Sequence, residues 1–186
     1  LKFLKKKHDH FILTTNKNVL IFNDARKFGF IDLINTNKIL KNYIIRLGID
    51  ALDKRLNEKY LLGKISKSKV PIKQILLDQR IISGIGNIYA SEILYDAKIS
   101  PFARGNSLKL SVIRKLIRST KKILKKAINS GGSSLKDYIA SDGTLGNFQN
   151  HFKVYNREGK KISGCKIVRE IQYGRSTFYC PKEQIL

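Results

Sequence analysis

The residues whose types and spacing point most directly to chemistry are Gly84-Ile-Gly-Asn-Ile-Tyr-Ala-Ser-Glu-Ile-Leu94. An apolar stretch runs into a Gly-x-Gly turn, where Gly84 and Gly86 let the backbone turn tightly without a Cβ in the way. Asn87 then suits the N-cap of a second amphipathic helix, whose free N–H groups make an anion site. The chain carries 37 Lys and Arg against 14 acidic residues, a formal net charge of +23. In that setting the anion to expect is a nucleic-acid phosphate. A glycine turn before an Asn-capped helix also occurs in many helical proteins, so the pattern gains its weight from the rest of the chain.

The elements that must hold this motif follow from composition and periodicity. At 186 residues and 42% hydrophobic, the chain suits one medium domain or two small ones with a packed core. No apolar run is long enough to span a membrane, and no signal peptide is visible. Two cysteines, Cys165 and Cys180, argue against a disulfide framework and for a reducing compartment. Lysine is spread widely, so the charge alone is weaker support for nucleic-acid binding than the motif. There is no methionine, even at position 1, and the chain is read as a fragment, a processed product or a partial record.

Strands are expected at 11–15, 19–22 and 28–31, with Asn16-Lys-Asn as a hairpin turn. Residues 36–52 read as a connector. Asp53 is expected to cap a helix through about Leu62, and Pro71 to start another ending near Asp78. Ser111 caps a longer helix with apolar residues from Val112 to Ile128 at i, i+3, i+4 spacing. That spacing leaves Arg114, Lys115, Arg118, Lys121, Lys122, Lys125 and Lys126 largely outside. Gly131-Gly132 stops it. Short strands return at 152–155, 166–171 and 177–179.

The motif and five further segments, all in one order, resemble the formamidopyrimidine-DNA glycosylases, with their helix–two-turn–helix. The others are His8-Asp-His, Asp24-Ala-Arg-Lys-Phe-Gly29, Gly131-Gly-Ser-Ser-Leu-Lys-Asp-Tyr138 with Ser141-Asp-Gly, Val154-Tyr-Asn-Arg-Glu-Gly159, and Gly174-Arg-Ser-Thr-Phe-Tyr-Cys-Pro181. The resemblance implies an α+β fold: the C-terminal strands of a β-sandwich (1–50), a central helix–two-turn–helix domain (51–146) and a C-terminal zinc-finger-like β-hairpin (147–186). It implies base-excision repair of oxidised purines such as 8-oxoguanine, with AP lyase activity by β,δ-elimination on a flipped-out nucleotide. The family's nucleophile is an N-terminal proline assisted by a glutamate and a downstream lysine. None of these is matched here, and Pro71, Pro101 and Pro181 are internal, so the chain as written is expected to bind damaged DNA without cleaving it.

Site residues follow from the same resemblance. Arg175 matches the hairpin arginine that grips phosphates beside the lesion and is linked to the final elimination; a guanidinium suits this because it stays charged and bonds phosphate in a fork. Arg26 and Phe28 match the pair that fills the gap left by the flipped base, and His8 a DNA-contacting histidine. Lys67, Ser68, Lys69 and Lys73 fall in the run used against the backbone, with Ser68 at the family's contact-lysine position. Gly86, Asn87 and Tyr155 match phosphate contacts, and Ser141 to Asn147 the segment that closes over the lesion base. The family's zinc hairpin has four cysteines, whereas here Cys165 and Cys180 stand with Ile162 and Glu183 in the other two places. That donor set is poor for a structural zinc, so a metal-free finger is expected. The implied partner is duplex DNA with oxidised purines or abasic sites, bound by a monomer in the bacterial cytoplasm, at the nucleoid, with no membrane role. An endonuclease VIII-type enzyme and a non-catalytic DNA-binding relic are the alternatives, and a ribosomal RNA-binding protein explains least.

Overall fold

The computed structural model describes residues 4–34, 45–133 and 146–185. It divides into two compact units, Leu1–Lys41 and Asn42–Leu186.

The first unit is built on an antiparallel hairpin, β1 (Asp9–Thr14) and β2 (Val19–Asn23). Its turn is closed where Thr15 N–H donates to Asn18 O at 2.8 Å. The strand expected at 28–31 does not form. The Asp24 carboxylate accepts the N–H groups of Arg26, Lys27 and Gly29, at 2.9, 2.9 and 2.6 Å. Backbone donors that a ladder would use are thereby committed to a loop.

The second unit packs helices against small sheets. Here α1 is Glu58–Ile65, α2 Ile72–Leu77, α3 Asn87–Ala97 and α4 Leu110–Asn129. The expected Asp53 cap moves to Asn57, whose side chain accepts Tyr60 N–H at 2.9 Å. Asp53 is instead spent on a local turn, bonding Arg55 through backbone and guanidinium. Pro71 does open α2, and Asp78 closes it. The long helix begins at Leu110 with Lys109 rather than Ser111 at its N-cap position. Inside the expected connector, β3 (Ile49–Asp50) pairs in parallel with β4 (Ile82–Ser83). One core joins these elements, with Leu61, Ile65, Ile72, Leu76, Ile93, Leu94, Ile113 and Leu116 fully buried. α4 covers α3 and α1, which its single apolar stripe allows.

At the C-terminal end two hairpins follow a 3-10 turn at Phe148–His151. β5 (Lys161–Ile162) pairs with β6 (Cys165–Lys166), and β7 (Val168–Gln172) with β8 (Arg175–Tyr179). Both turns have two residues of positive φ, Ser163 and Gly164 at 47° and 77°, Tyr173 and Gly174 at 51° and 73°. Such turns match the twist of an antiparallel pair. The strand expected at 152–155 is absent, because the N–H groups of Lys153, Val154 and Tyr155 all go to the Glu92 carboxylate. Among the described residues no helix is long and apolar enough to cross a membrane.

Candidate nucleic-acid interface

The two-turn between α2 and α3 is held by its own side chains. Gln79 donates Nε2 to Ile85 O at 3.0 Å and accepts Gly84 N–H on Oε1 at 2.9 Å. Tyr60 Oη donates to Ile81 O at 2.8 Å, tying the turn to α1. Gly84 sits at φ +91°, in the region that favours glycine. Gly86, at φ −101°, needs no such freedom. Nothing lies within 4 Å of where its Cβ would stand, so its surface is bare and exposed.

Asn87 is not the cap. Gly86 occupies the N-cap position, no side chain caps the helix, and Asn87 is the first residue of α3. Its amide turns across to β8 and donates Nδ2 to Ser176 O at 3.0 Å. Asn87 Oδ1 is buried without a partner among the described residues. Among the described residues the first N–H groups of α3 therefore have no side-chain partner, which leaves them available to an anion.

The same Ser176 carbonyl accepts Lys73 Nζ at 3.0 Å, and Lys73 also donates to Thr177 Oγ1 at 2.7 Å. Thr177 passes the chain on to Gln172 Oε1 at 3.4 Å, and Gln172 Nε2 reaches Pro101 O at 3.3 Å. Lys73 is fully buried. Burial, and then the neighbouring Arg175 guanidinium, hold its ammonium down to about 8. This corrects the expectation that Lys73 lies against a DNA backbone: it braces the hairpin from within. Arg175, the residue before Ser176 in β8, is exposed, and neither hydrogen bond nor ion pair engages its guanidinium among the described residues. Arg175 and the N-terminus of α3 are thus brought side by side.

Lys67 and Lys69 are exposed on the connection from α1 to α2, with Ser68 partly buried between them. Ser68 Oγ accepts Val70 N–H at 3.3 Å, so its hydroxyl is engaged in a turn. Tyr155 packs edge-on between the rings of Phe152 and Phe178, at 5.6 and 5.0 Å. In the first unit, Phe28 is 78% exposed with the Arg26 guanidinium 4.9 Å from its ring centre. Backbone hydrogen bonds, first of all from Gly29, keep the Asp24 carboxyl below its ordinary value. His8 takes a positive φ of 74°, and its ring lies 6.4 Å from that of His10. Of the expected lesion-closing segment, 141–145 lie outside the described residues. Its base is closed where Asn147 N–H donates to Ser130 O at 2.8 Å.

The cysteines depart from the expectation. Cys165 and Cys180 form a disulfide with Cα atoms 6.0 Å apart, which corrects the reading against a disulfide. Across β5–β6, Ile162 faces Cys165 and fills a ligand place with an apolar side chain. Glu183 turns instead to Lys98, which holds its carboxyl below the ordinary value. Among the described residues no three His, Cys, Asp or Glu side chains gather as a metal set. The donors do not fit a structural zinc. Both sulfurs lie in a small apolar core with Tyr95, Val154, Ile167 and Phe178.

Sequence reasoning passed over Gln79, Gln172, Thr177 and Glu92. Only Glu92 left a trace, as a carboxylate set among apolar residues in a helix whose neighbours are buried.

A glycine two-turn between helices, an open helix N-terminus and an arginine hairpin docked beside it define a helix–two-turn–helix DNA-binding protein. The family profile of the formamidopyrimidine-DNA glycosylase H2TH domain matches residues 47–138. The chain is 46% identical over 178 residues to the formamidopyrimidine-DNA glycosylase of Zymomonas mobilis, and 43% identical over 178 residues to that of Rickettsia conorii. Each match covers 94% of this chain and 66% or 65% of the relative, so the chain spans just under two thirds of their length. The Lactococcus lactis Fpg bound to DNA containing an abasic site superposes with TM-score 0.89 at 38% identity, over 99% of this chain and 69% of that one. The Thermus thermophilus MutM (Fpg) protein gives 0.86 at 34%, over 97% and 70%. The chain belongs to the formamidopyrimidine-DNA glycosylase family.

Proposed function

We propose that this chain grips duplex DNA at an oxidised purine or abasic site for base-excision repair. The observation that carries the reading is the pairing of Asn87 with Ser176, which sets exposed Arg175 beside the open N-terminus of α3. A phosphate seated there would meet helix N–H groups on one side and a guanidinium fork on the other. Gly86 gives the backbone close approach, since no side chain stands over it. Lys67 and Lys69 add charge along the strand, and Tyr155 supports the hairpin core. In the first unit, exposed Phe28 with Arg26 over its ring has the build of an aromatic wedge and a partner-base donor. His8 belongs with this pair in the first unit, and Ser68 with Lys67 and Lys69 in the second.

The family activity is glycosylase with AP lyase, and relatives in complex carry abasic-site and Fapy-dG DNA, which supports that lesion class here. Arg175 is the catalytic-type residue present, placed to hold a phosphate beside the lesion. No residue of the 186 matches the family's proline nucleophile. The polypeptide of these residues therefore holds lesion DNA without forming a Schiff base. The Cys165–Cys180 bridge braces the small core under the hairpin, and the protein acts as a monomer.

Borohydride trapping on 8-oxoguanine duplex tests this directly. The expected result is tight, salt-sensitive binding of abasic-site DNA with no covalent adduct. A lesion-dependent crosslink would overturn the non-cleaving reading, and equal affinity for intact duplex would overturn lesion recognition.

A further inference from the structure

We propose that the outer face of α4 is a second duplex-DNA-binding surface, distinct from the α3 site. The helix carries Arg114, Lys115, Arg118, Lys121, Lys122, Lys125 and Lys126 and no acidic residue. At 3.6 residues per turn these seven fall within one arc of roughly 140°. That arc lies opposite the buried stripe of Ile113, Leu116, Ile117, Thr120, Leu124 and Ala127. The stripe packs on α3 and α1, so the cationic face points away from the helix that begins at Asn87.

Among the described residues only Arg114 and Lys122 form direct ion pairs, with Glu58 at 3.0 Å and Asp96 at 2.6 Å, while Lys121 lies within electrostatic reach of Asp53 and Glu58. Like charges repeat along the face: Arg114 with Arg118, Arg118 with Lys122, Lys121 with Lys125, and Lys122 with Lys126 stand four apart. Each such pair destabilises the helix. A bound polyanion removes that repulsion, whereas a merely solvated face gains nothing from it. From Arg114 to Lys126 the stripe runs roughly 18 Å at 1.5 Å per residue, the reach of about five phosphates on one strand.

The chemistry of the face selects its occupant. It has no aromatic residue on which unpaired bases could stack, which disfavours single strands. Its exposed apolar residues, Leu110 and Ile128, sit at the two ends of the helix rather than along the cationic stripe, which disfavours a membrane surface. What remains complementary is the regular phosphate backbone of a duplex, read without sequence preference.

The inference rests on the α3 reading only in calling this duplex the second, and the two fail separately. The test immobilises an abasic-site duplex, saturates it with the 186-residue chain and adds a fluorescent undamaged duplex at about 50 mM salt. Wild type is expected to capture the second duplex. The variant Lys115→Gln, Arg118→Gln, Lys125→Gln, Lys126→Gln should capture at least tenfold less while still loading on the first. Its salt slope for undamaged duplex should fall by about three to four, one for each phosphate no longer neutralised. Glutamine is a good helix former, and an unchanged thermal midpoint confirms that the variant folds. Asn87→Ala with Arg175→Ala should lose loading on the lesion duplex yet keep its affinity for undamaged duplex. Full loading by that double variant would sink the α3 reading and leave the α4 result intact. Undiminished capture by the quadruple variant overturns the α4 surface, as does preference for anionic phospholipid vesicles or single strands over duplex at equal phosphate.

Discussion

Lys73 and Thr177, separated by 104 residues in sequence, meet through a hydrogen bond of 2.7 Å in the interior of the second unit. Because Lys73 also holds Ser176 O, which Asn87 shares, two residues fix the strand that carries Arg175 through three hydrogen bonds. The bond joins the helix before the two-turn directly to the hairpin. A buried ammonium costs free energy unless it is well bonded, so this contact places Arg175 at the expense of some stability.

That cost has a pH signature. The ammonium titrates near 8 in the folded chain against an ordinary value of 10.5. Between these values the unfolded chain binds more protons, so folding stability should rise as pH rises from about 8 toward 10.5. Lys73→Met should abolish that rise. Denaturant midpoints across this range check it, and a flat profile in the parent protein would contradict the burial.

Arg175→Ala should weaken abasic-site DNA binding by roughly 1–3 kcal/mol, the scale of a lost hydrogen bond to a charged group, and Asn87→Ala should weaken it by loosening the strand that carries Arg175. Asn87→Ala also frees Ser176 O from one donor, so its effect should include a small loss of stability. Titration with fluorescent duplex measures both. Unchanged affinity in both variants would remove the phosphate site from α3.

The two glycines of the turn should separate stability from binding. Gly84→Ala forces a Cβ into φ +91° and should cost about 1–2 kcal/mol of stability, the usual left-handed penalty. Gly86→Ala meets no neighbour and should leave the thermal midpoint unchanged while weakening DNA binding. Equal behaviour of the two variants would contradict the bare surface at Gly86.

Glu92 is 1% exposed and accepts three backbone N–H groups. Glu92→Gln turns an acceptor into a donor facing N–H groups and should lower stability by about 2–4 kcal/mol. The segment 152–155 should then exchange its amide hydrogens faster, which hydrogen exchange reads directly.

Reduction of Cys165–Cys180 should loosen the hairpin. The bridge closes a span of 15 residues, for which chain entropy gives about 3 kcal/mol. Intact mass should rise by that of two hydrogens on reduction, and the thermal midpoint should fall. One tightly held zinc per chain in metal analysis would overturn the covalent staple.

Some of this was legible in the chain. The Gly-x-Gly-Asn segment, the apolar stripe of α4 and the Gly174-Arg turn are local patterns, and local sterics and periodicity decide them. The lengths of α2 and α4 came close for the same reason. The strand expected at 152–155 failed because Glu92, outside the run, took the backbone donors that a ladder requires, and the one at 28–31 lost the Gly29 N–H to Asp24. Period-2 apolarity says where a strand would bury its face, but not which acceptor its N–H groups meet.

Residue identity alone determined the family, the charge and the chemical types at the site. Only the tertiary structure decided that Asn87 serves the hairpin instead of capping its helix, and that Lys73 lies inside rather than at the surface. It also decided that the two cysteines bond to each other. Each of these depends on partners roughly 15 to 100 residues away, whose distance is set by packing and not by spacing along the chain.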